Sequence, residues 1–468
     1  MPIKDILAKL PEVVGPSQQR LGFKDKLKWT LIVLIGFFIL GLIPLYGLGE
    51  NALAQFEFLS IILGAKFGSL IPLGIGPLVT GSIVLQLLKG SGMLSLDIST
   101  PEGKQTYQGL QKILGLFFVV FEAAIYVYMG GLSPSAVLDP QTYKSMQLLL
   151  VAQLIIGGIL ILFMDEVITK WGFGSGISLF IVAGVSEEIV IAAFSPMTTA
   201  GTLAFGSGQA PIGKVWVLIQ SLLSGNPAGA VLALSAIAAT VVVFLISVYG
   251  QAMKIEIPLS FERVRGHGMR WPLQFIYTSN IPVILVAALL ANVQLGARLL
   301  EKWGYPLLGT FSAGRPATGI VLWLQAPNLL ESIITGSFIP KELAYAAAYM
   351  GFMVVGAVIF SIFWVQTAGM DANSQAKQIL ASGLQIPGFR RDERVLAHVI
   401  GRYIMPLTVM GAILVGVLAS AADLLGALSR GTGILLSVMI IYKLYEDIAK
   451  QHMEDMYPAL RNVMSGVK

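Results

Sequence analysis

The sequence predicts an all-α polytopic membrane protein with ten helical spans, and three observations carry that prediction. Apolar residues make up 55% of the chain against 12% charged, about half the charged share of ~25% typical of soluble domains. The mean hydropathy is +0.78, and apolar runs near ~20 residues, the length of a membrane-crossing helix, recur from end to end. Alternating apolar and polar segments of roughly ten residues, the pattern of a transmembrane barrel, are absent from the sequence.

The elements follow in order. Met1 to Lys28 is polar and basic, so it reads as a cytosolic segment and not as a cleavable leader with a short apolar core. Apolar runs place spans at roughly 29 to 48, 73 to 88, 110 to 130, 145 to 166, 175 to 194, 228 to 253, 279 to 298, 342 to 366, 402 to 425 and 431 to 447. With the N-terminus inside, the cytosolic side holds most of the 31 Lys and Arg residues, as the positive-inside rule requires. Both ends are then cytosolic. The chain divides into a basic segment 1–28, an N-terminal half 29–194, an external loop 195–227, a C-terminal half 228–447 and a tail 448–468. Two long basic loops, 254–278 and 367–401, fall on the cytosolic side.

Between spans 1 and 2 the apolar pattern breaks at Gly68, Pro72, Gly74, Gly76 and Pro77. The piece before it, Phe56 to Ala65, would rise only ~15 Å as a helix, half of a ~30 Å hydrocarbon layer. The run Leu73-Gly-Ile-Gly-Pro77 can neither stay helical nor face lipid with its backbone unsatisfied. A half-helix in a membrane protein lines or fills a water-accessible cavity, so the chain is expected to conduct something.

The two halves echo one another. Gly174-Ser-Gly-Ile177 at the start of span 5 matches Gly431-Thr-Gly-Ile434 at the start of span 10, and Ile75-Gly-Pro77 in span 2 is answered by Ile281-Pro282-Val-Ile284 in span 7. Five spans is an odd number, so the second half is predicted to sit inverted relative to the first, as in many transport proteins.

Enzymatic readings find little support. There is no cysteine, hence no disulfide, thiol nucleophile or thiolate metal site. His267, His398 and His452 lack a metal-ligand spacing. The Gly-x-Gly pairs at 74–76, 172–176 and 431–433 are not followed by Lys-Ser or Lys-Thr and open no βαβ unit, which leaves no P-loop or dinucleotide fingerprint; tight helix packing or a helix start explains them. Glu122 is the exception, because an ionised carboxylate in mid-span costs about 3 kcal/mol. Thr80 and Asn292 on other spans are its candidate partners. Asp165, Glu166, Glu187, Glu188 and Asp423 lie near span ends and read as interfacial.

Two functional classes stay open at this point: a secondary transporter coupled through Glu122, and a protein-sized channel. A transporter places several polar groups beside its broken helices. Here the breaks carry Ile75, Val79, Ile177, Ile181, Ile284 and Leu436, a poor site for a small polar solute.

At these residues the chain closely resembles the SecY family, the channel subunits of the Sec protein translocase, in its archaeal form. The likeness runs through Lys26-Leu-Lys-Trp-Thr30, Phe56-Glu-Phe58, Leu73-Gly-Ile-Gly-Pro77, Gly174-Ser-Gly-Ile177, Glu256-Ile-Pro-Leu259, Ser279-Asn-Ile-Pro-Val-Ile284, Pro406-Leu-Thr-Val-Met410 and Gly431-Thr-Gly433. The resemblance implies two five-helix inverted halves around an hourglass pore, with Ile75, Val79, Ile177, Ile181, Ile284 and Leu436 as the ring at its waist. It also implies a plug formed by Phe56, Glu57, Phe58, Leu59, Ser60, Ile61, Ile62, Leu63, Gly64, Ala65, Lys66 and Phe67, and a lateral gate whose polar cluster is Thr80, Glu122 and Asn292. Arg263, Arg265, Arg390 and Arg391 match the cytosolic protrusions that dock the ribosome, whose phosphates suit Arg forks. SecE-like and Secβ-like subunits, signal peptides, nascent chains and membrane lipid are the further partners implied, in the cell membrane. No catalytic residue, metal or cofactor follows.

Overall fold

A computed structural model describes residues 11–17, 21–51, 68–90, 93–94, 101–135, 137–198, 202–204, 209–261, 268–278, 281–302, 304–312, 315–381, 384–385, 392–429 and 431–456. The chain divides into two compact units, Met1–Ser186 with Lys443–Asp455 and Glu187–Tyr442 with Met456–Lys468.

The first unit holds α1 (Phe23–Leu42), β1 (Leu48–Asn51), α2 (Gly76–Gly90), α3 (Pro101–Tyr128), β2 (Leu132–Pro134), α4 (Pro140–Trp171) and the start of α5 (Gly176–Phe194). Helix α4 begins on Pro140, whose missing N–H would have been an orphan donor there anyway. It packs on α1 and α3, and α2 packs on α3. These contacts run through glycines. A Cβ at Gly81 would come within 3.0 Å of the Gly115 backbone nitrogen, and one at Gly158 within 2.7 Å of Val119. Small residues let helices approach closely where apolar burial gives no preference for protein over lipid.

Residues Glu12 to Val14 are strapped to the end of α4. Val13 N donates to Glu166 Oε2 at 2.9 Å, Trp171 Nε1 to the Val14 carbonyl at 2.9 Å, and Lys170 Nζ to the Val13 carbonyl at 2.6 Å. Lys112 pairs with Glu166 and Lys170 with Glu12. The Lys170 hydrogen bond and charge hold the Glu12 carboxyl below the usual carboxylate range.

The second unit holds the rest of α5, then α6 (Lys214–Leu223), α7 (Pro227–Ala252), β3 (Lys254–Phe261), β4 (Gly268–Gln274), α8 (Ile281–Lys302), β5 (Phe311–Ser312), β6 (Arg315–Pro316), α9 (Ile320–Trp323), α10 (Leu329–Thr335), α11 (Lys341–Thr367), α12 (Ala372–Ala381), β7 (Leu384–Gln385), α13 (Glu393–Leu424) and the first half of α14 (Gly431–Met456), whose Lys443–Asp455 belongs to the first unit. Helix α7 is capped by Asn226, whose side chain accepts from Gly229 N at 3.2 Å, and α13 by Asp392, which accepts from Arg394 N at 2.8 Å. Helices α11 and α13 pack along each other, with α8 against α11 and α12 against α13.

Six helical stretches among the described residues are long and apolar enough to cross a membrane: Gln105–Tyr128, Pro140–Trp171, Gly176–Phe194, Pro227–Ala252, Lys341–Ala381 and Glu393–Leu424. The protein is therefore a multi-pass integral membrane protein. The other four expected spans fall on α1, α2, α8 and α14, which do not meet that measure. Lys24, Asp25, Lys26 and Lys28 open α1, and α2 is a half-helix.

The prediction of an all-α chain needs correction: short strands pair as β1 with β2 and β5 with β6, and a longer sheet forms in the basic loops. The 254–278 loop is a hairpin in which β3 pairs antiparallel with β4 from Lys254↔Gln274 to Ser260↔Gly268, and β3 also pairs with β7 at Ser260↔Gln385 and Phe261↔Leu384. Lys254-Ile-Glu-Ile-Pro-Leu-Ser-Phe261 alternates over 8 residues, a run shorter than the roughly ten residues of a membrane barrel strand. Ile257 and Leu273 sink into a core with Val365, Ala376, Ile379 and Ile400. The two long basic loops are thus tied together, by strand pairing and by a shared apolar cluster.

Candidate functional site

The break before α2 answers the question its sequence raises, which is where irregular backbone finds hydrogen-bond partners at membrane depth. Gly68 and Gly74 adopt φ of +92° and +52°, which only glycine takes without strain. Leu45 N donates to the Gly68 carbonyl at 2.9 Å, Leu70 N to the Ile43 carbonyl at 2.8 Å, and Ile71 N to Ser69 Oγ at 3.3 Å. Gly74 N and Gly76 N close tight turns onto the carbonyls of Ile71 and Leu73. Ile71, Leu73 and Ile75 are fully buried. The Leu70 carbonyl itself lies on α4 at Gly157, where a Cβ would sit 1.8 Å from the oxygen. Non-helical backbone is tolerated in a membrane when protein buries it, and here α4 and the end of α1 do so.

This arrangement delivers α2 as a half-helix with Val79 and Thr80 in its first turns. Thr80 Oγ1 donates to Glu122 Oε1 on α3 at 3.2 Å, and Gln111 Nε2 donates to Ser82 Oγ at 2.7 Å. Two of the three residues expected in the polar cluster are therefore brought together. Asn292 stands on α8 in the second unit with an exposed side chain. Of the six aliphatics expected in the ring, Ile75, Val79 and Ile181 in the first unit and Ile284 and Leu436 in the second are buried, and Ile177 is half-buried.

Sequence reasoning missed what starts α5 and α14. Asp165 near the end of α4 accepts from Ile177 N at 3.0 Å, and Asp423 near the end of α13 accepts from Gly431 N at 2.7 Å. Both read from the sequence as interfacial carboxylates, and each instead caps the helix that follows its own. The other Asp423 oxygen accepts from Tyr349 Oη on α11 at 2.6 Å. The available signal was positional: the two aspartates keep the spacing of the Gly-x-Gly pair to within one residue. Glu188 also has a partner within the second unit, the Ser429 hydroxyl. The plug residues 56–67 and the four docking arginines, Arg263, Arg265, Arg390 and Arg391, lie outside the described residues.

A half-helix that carries aliphatics at a glycine and proline break, in a helical membrane protein with no enzymatic motif in its sequence, defines a conducting class of protein. The SecY family profile matches residues 69–445. The chain is 43% identical over 463 residues to the protein translocase subunit SecY of Methanothermobacter thermautotrophicus, covering 98% of this chain and 97% of that one. A solved structure concerned with the SecY plug domain, which stabilises the closed state of the translocation channel and maintains a membrane seal, superposes with a TM-score of 0.81 at 40% identity, covering 98% of this chain and 99% of that one. Sec61 from a canine ribosome-channel complex of the endoplasmic reticulum does so with a TM-score of 0.79 at 39% identity, with coverage of 98% and 99%. The chain belongs to the SecY family. It is a protein translocase subunit of the protein-conducting channel type.

Proposed function

We propose that ten spans, arranged as two inverted five-helix halves, form an hourglass channel sealed at its waist by Ile75, Val79, Ile177, Ile181, Ile284 and Leu436. The observation that carries this reading is the half-helix α2, whose buried break presents Ile75 and Val79 and whose Thr80 bonds Glu122. Flexible aliphatics suit such a seal, because an apolar ring dewets when empty and closes around any side chain without binding it. Transport by this route needs no catalytic chemistry. The chain sits in the cell membrane with both termini cytosolic, partnered by SecE-like and Secβ-like subunits.

Thr80, Glu122 and Asn292 form the polar contact of a lateral gate that parts for apolar segments. Replacing any one of them with Leu is expected to shift the hydrophobicity at which a graded Leu/Ala segment inserts instead of crossing, by about 1 kcal/mol. Glycosylation mapping of the segment series reads the threshold. A threshold that stays put in all three variants counts against the gate, and ion-coupled uptake of a small solute by the purified protein would restore the transporter alternative for Glu122.

Residues 56–67 act as the plug, a reading supported by a length too short to span and by the seal described for the related SecY structure. Deleting them should leave insertion intact and increase leak; loss of insertion instead would make the segment a core element. Ribosome docking falls to Arg263, Arg265, Arg390 and Arg391, supported by the strand pairing that ties their two loops together and by the relative found in a ribosome-channel complex. Reversing two of them to Glu is expected to weaken ribosome binding and flatten its salt dependence. Unchanged affinity and salt slope would leave these arginines only a topological role.

A further inference from the structure

We propose that Asp165 and Asp423 are positioning residues for the channel's seal, each clamping the first turn of a helix that carries ring aliphatics. The inference rests on the ring assignment above and adds what holds the ring at its height. Ile181 on α5 and Leu436 on α14 each stand five residues beyond the first glycine of their helix, about 7.5 Å along the axis. Whatever fixes that first turn fixes them.

Three features make these clamps specific. First, a helix N-terminus has orphan N–H donors that water normally satisfies. Within a membrane protein that substitute is scarce, and the Asp423 side chain is buried. Second, the glycines are required by the clamp. A Cβ on Gly176 would lie 2.6 Å from Asp165 Cα, and one on Gly431 would lie 2.2 Å from the Ala419 carbonyl oxygen and 2.3 Å from Ala422 Cβ. Only glycine lets each helix start this close to the end of its predecessor, at the second glycine of the Gly-x-Gly pair in α5 and at the first in α14. Third, the clamp spans a short connection in both halves, 172–175 and 425–430, where a released helix would pivot. A carboxylate is also the favoured charge at the positive end of a helix dipole. The match is not perfect in register: Asp423 holds the first residue of α14, whereas Asp165 holds the second residue of α5.

The test uses the full-length protein with its co-purifying subunits in planar bilayers, comparing Asp165→Ala, Asp423→Ala, the matching Asn variants and a ring variant with Ile75, Ile177 and Ile284 changed to Ser. Amide exchange over 172–181 and 429–436 is followed in parallel. The Ala variants should exchange roughly fivefold faster at the capped turns, as for loss of one helix cap, while Asn, itself a good cap, stays near wild type. Resting conductance should rise in the Ala variants and be restored in the Asn variants. Faster exchange with wild-type conductance makes the aspartates structural only and overturns the proposal; unchanged exchange denies the clamp itself. A silent ring variant sinks the ring assignment and this inference with it, whereas a leaking ring variant beside silent Ala variants sinks this inference alone. If Asp423→Ala does not accumulate, Tyr349→Phe removes the hydroxyl that orients the same carboxylate toward Gly431 and should speed exchange at 429–436 and raise conductance. Wild-type conductance and exchange in that variant would refute the second clamp.

Discussion

Serine at Ile75, Ile177 and Ile284 together is expected to raise the resting ion conductance of the reconstituted protein by roughly tenfold or more, since a hydroxyl-lined constriction no longer dewets. Three of six ring positions change, one of them on the break before α2 and two in the first turns of α5 and α8. Ile75 is fully buried and Ile284 is nearly so, so truncation also removes packing, at about 2–4 kcal/mol for a buried large-to-small change. Accumulation and protease resistance must therefore be followed beside conductance. Valine at the same three positions trims one methylene each, keeps the surface apolar and should leave conductance near wild type. A correctly inserted serine variant with the resting conductance of the wild type would show that these residues are ordinary packing and that the seal lies elsewhere.

The reason the ring is legible in the sequence is that its residues sit beside backbone irregularities, and glycine and proline announce those without reference to tertiary structure. Leu73-Gly-Ile-Gly-Pro77 can be recognised as a broken helix from steric rules alone. The partners that make the break tolerable cannot. Ser69 Oγ, the Ile43 carbonyl and the flat surface at Gly157 come from three separate segments, and nothing in their local sequence marks them as a set. The same division explains the acidic residues. Glu122 stands out because an unpaired mid-span carboxylate is costly, and its bond to Thr80 follows as a guess from that cost. Asp165 and Asp423 sit near helix ends, where charge is cheap, so their role as caps has no energetic signature in the sequence.

Secondary structure is hidden in a complementary place. The hairpin β3–β4 escapes notice because hydropathy dominates the reading of a membrane chain, and a short alternating run between two long apolar helices carries little weight beside them. Its function in the fold is to give a long loop its own core. Ile257 and Leu273 pack with residues of α11, α12 and α13, and the ion pair between Arg270 and Glu256 at 2.8 Å is exposed, which limits its contribution to a fraction of a kcal/mol up to about 1 kcal/mol. Apolar burial and strand pairing, more than charge pairing, therefore hold the two basic loops in one body. That leaves the loops' net positive charge available to a partner.

The break before α2 is the point at which a single atom group should matter most to stability. Gly157→Leu is expected to destabilise the protein by about 3 kcal/mol or more, because an added Cβ alone would lie 1.8 Å from the Leu70 carbonyl oxygen. Backbone, unlike a side chain, has no rotamer with which to move aside, and overpacking already costs about 1–3 kcal/mol where neighbours can adjust. Displacing Leu70 would also pull on its bond to the Ile43 carbonyl, stripping buried backbone of its partner. Gly157→Ala tests the same clash with the smallest possible group and should already lower the thermal midpoint of the detergent-solubilised protein. Gly296→Ala on α8 is the opposite case: a Cβ there meets nothing within 4 Å, and replacing a mid-helix glycine gains about 0.4–1 kcal/mol through helix propensity and a less flexible unfolded chain. Thermal unfolding of the three variants against wild type reads the contrast. Equal midpoints for Gly157→Ala and Gly296→Ala would mean that α4 does not press on the Leu70 carbonyl, and that the broken backbone of this membrane protein is buried by other contacts.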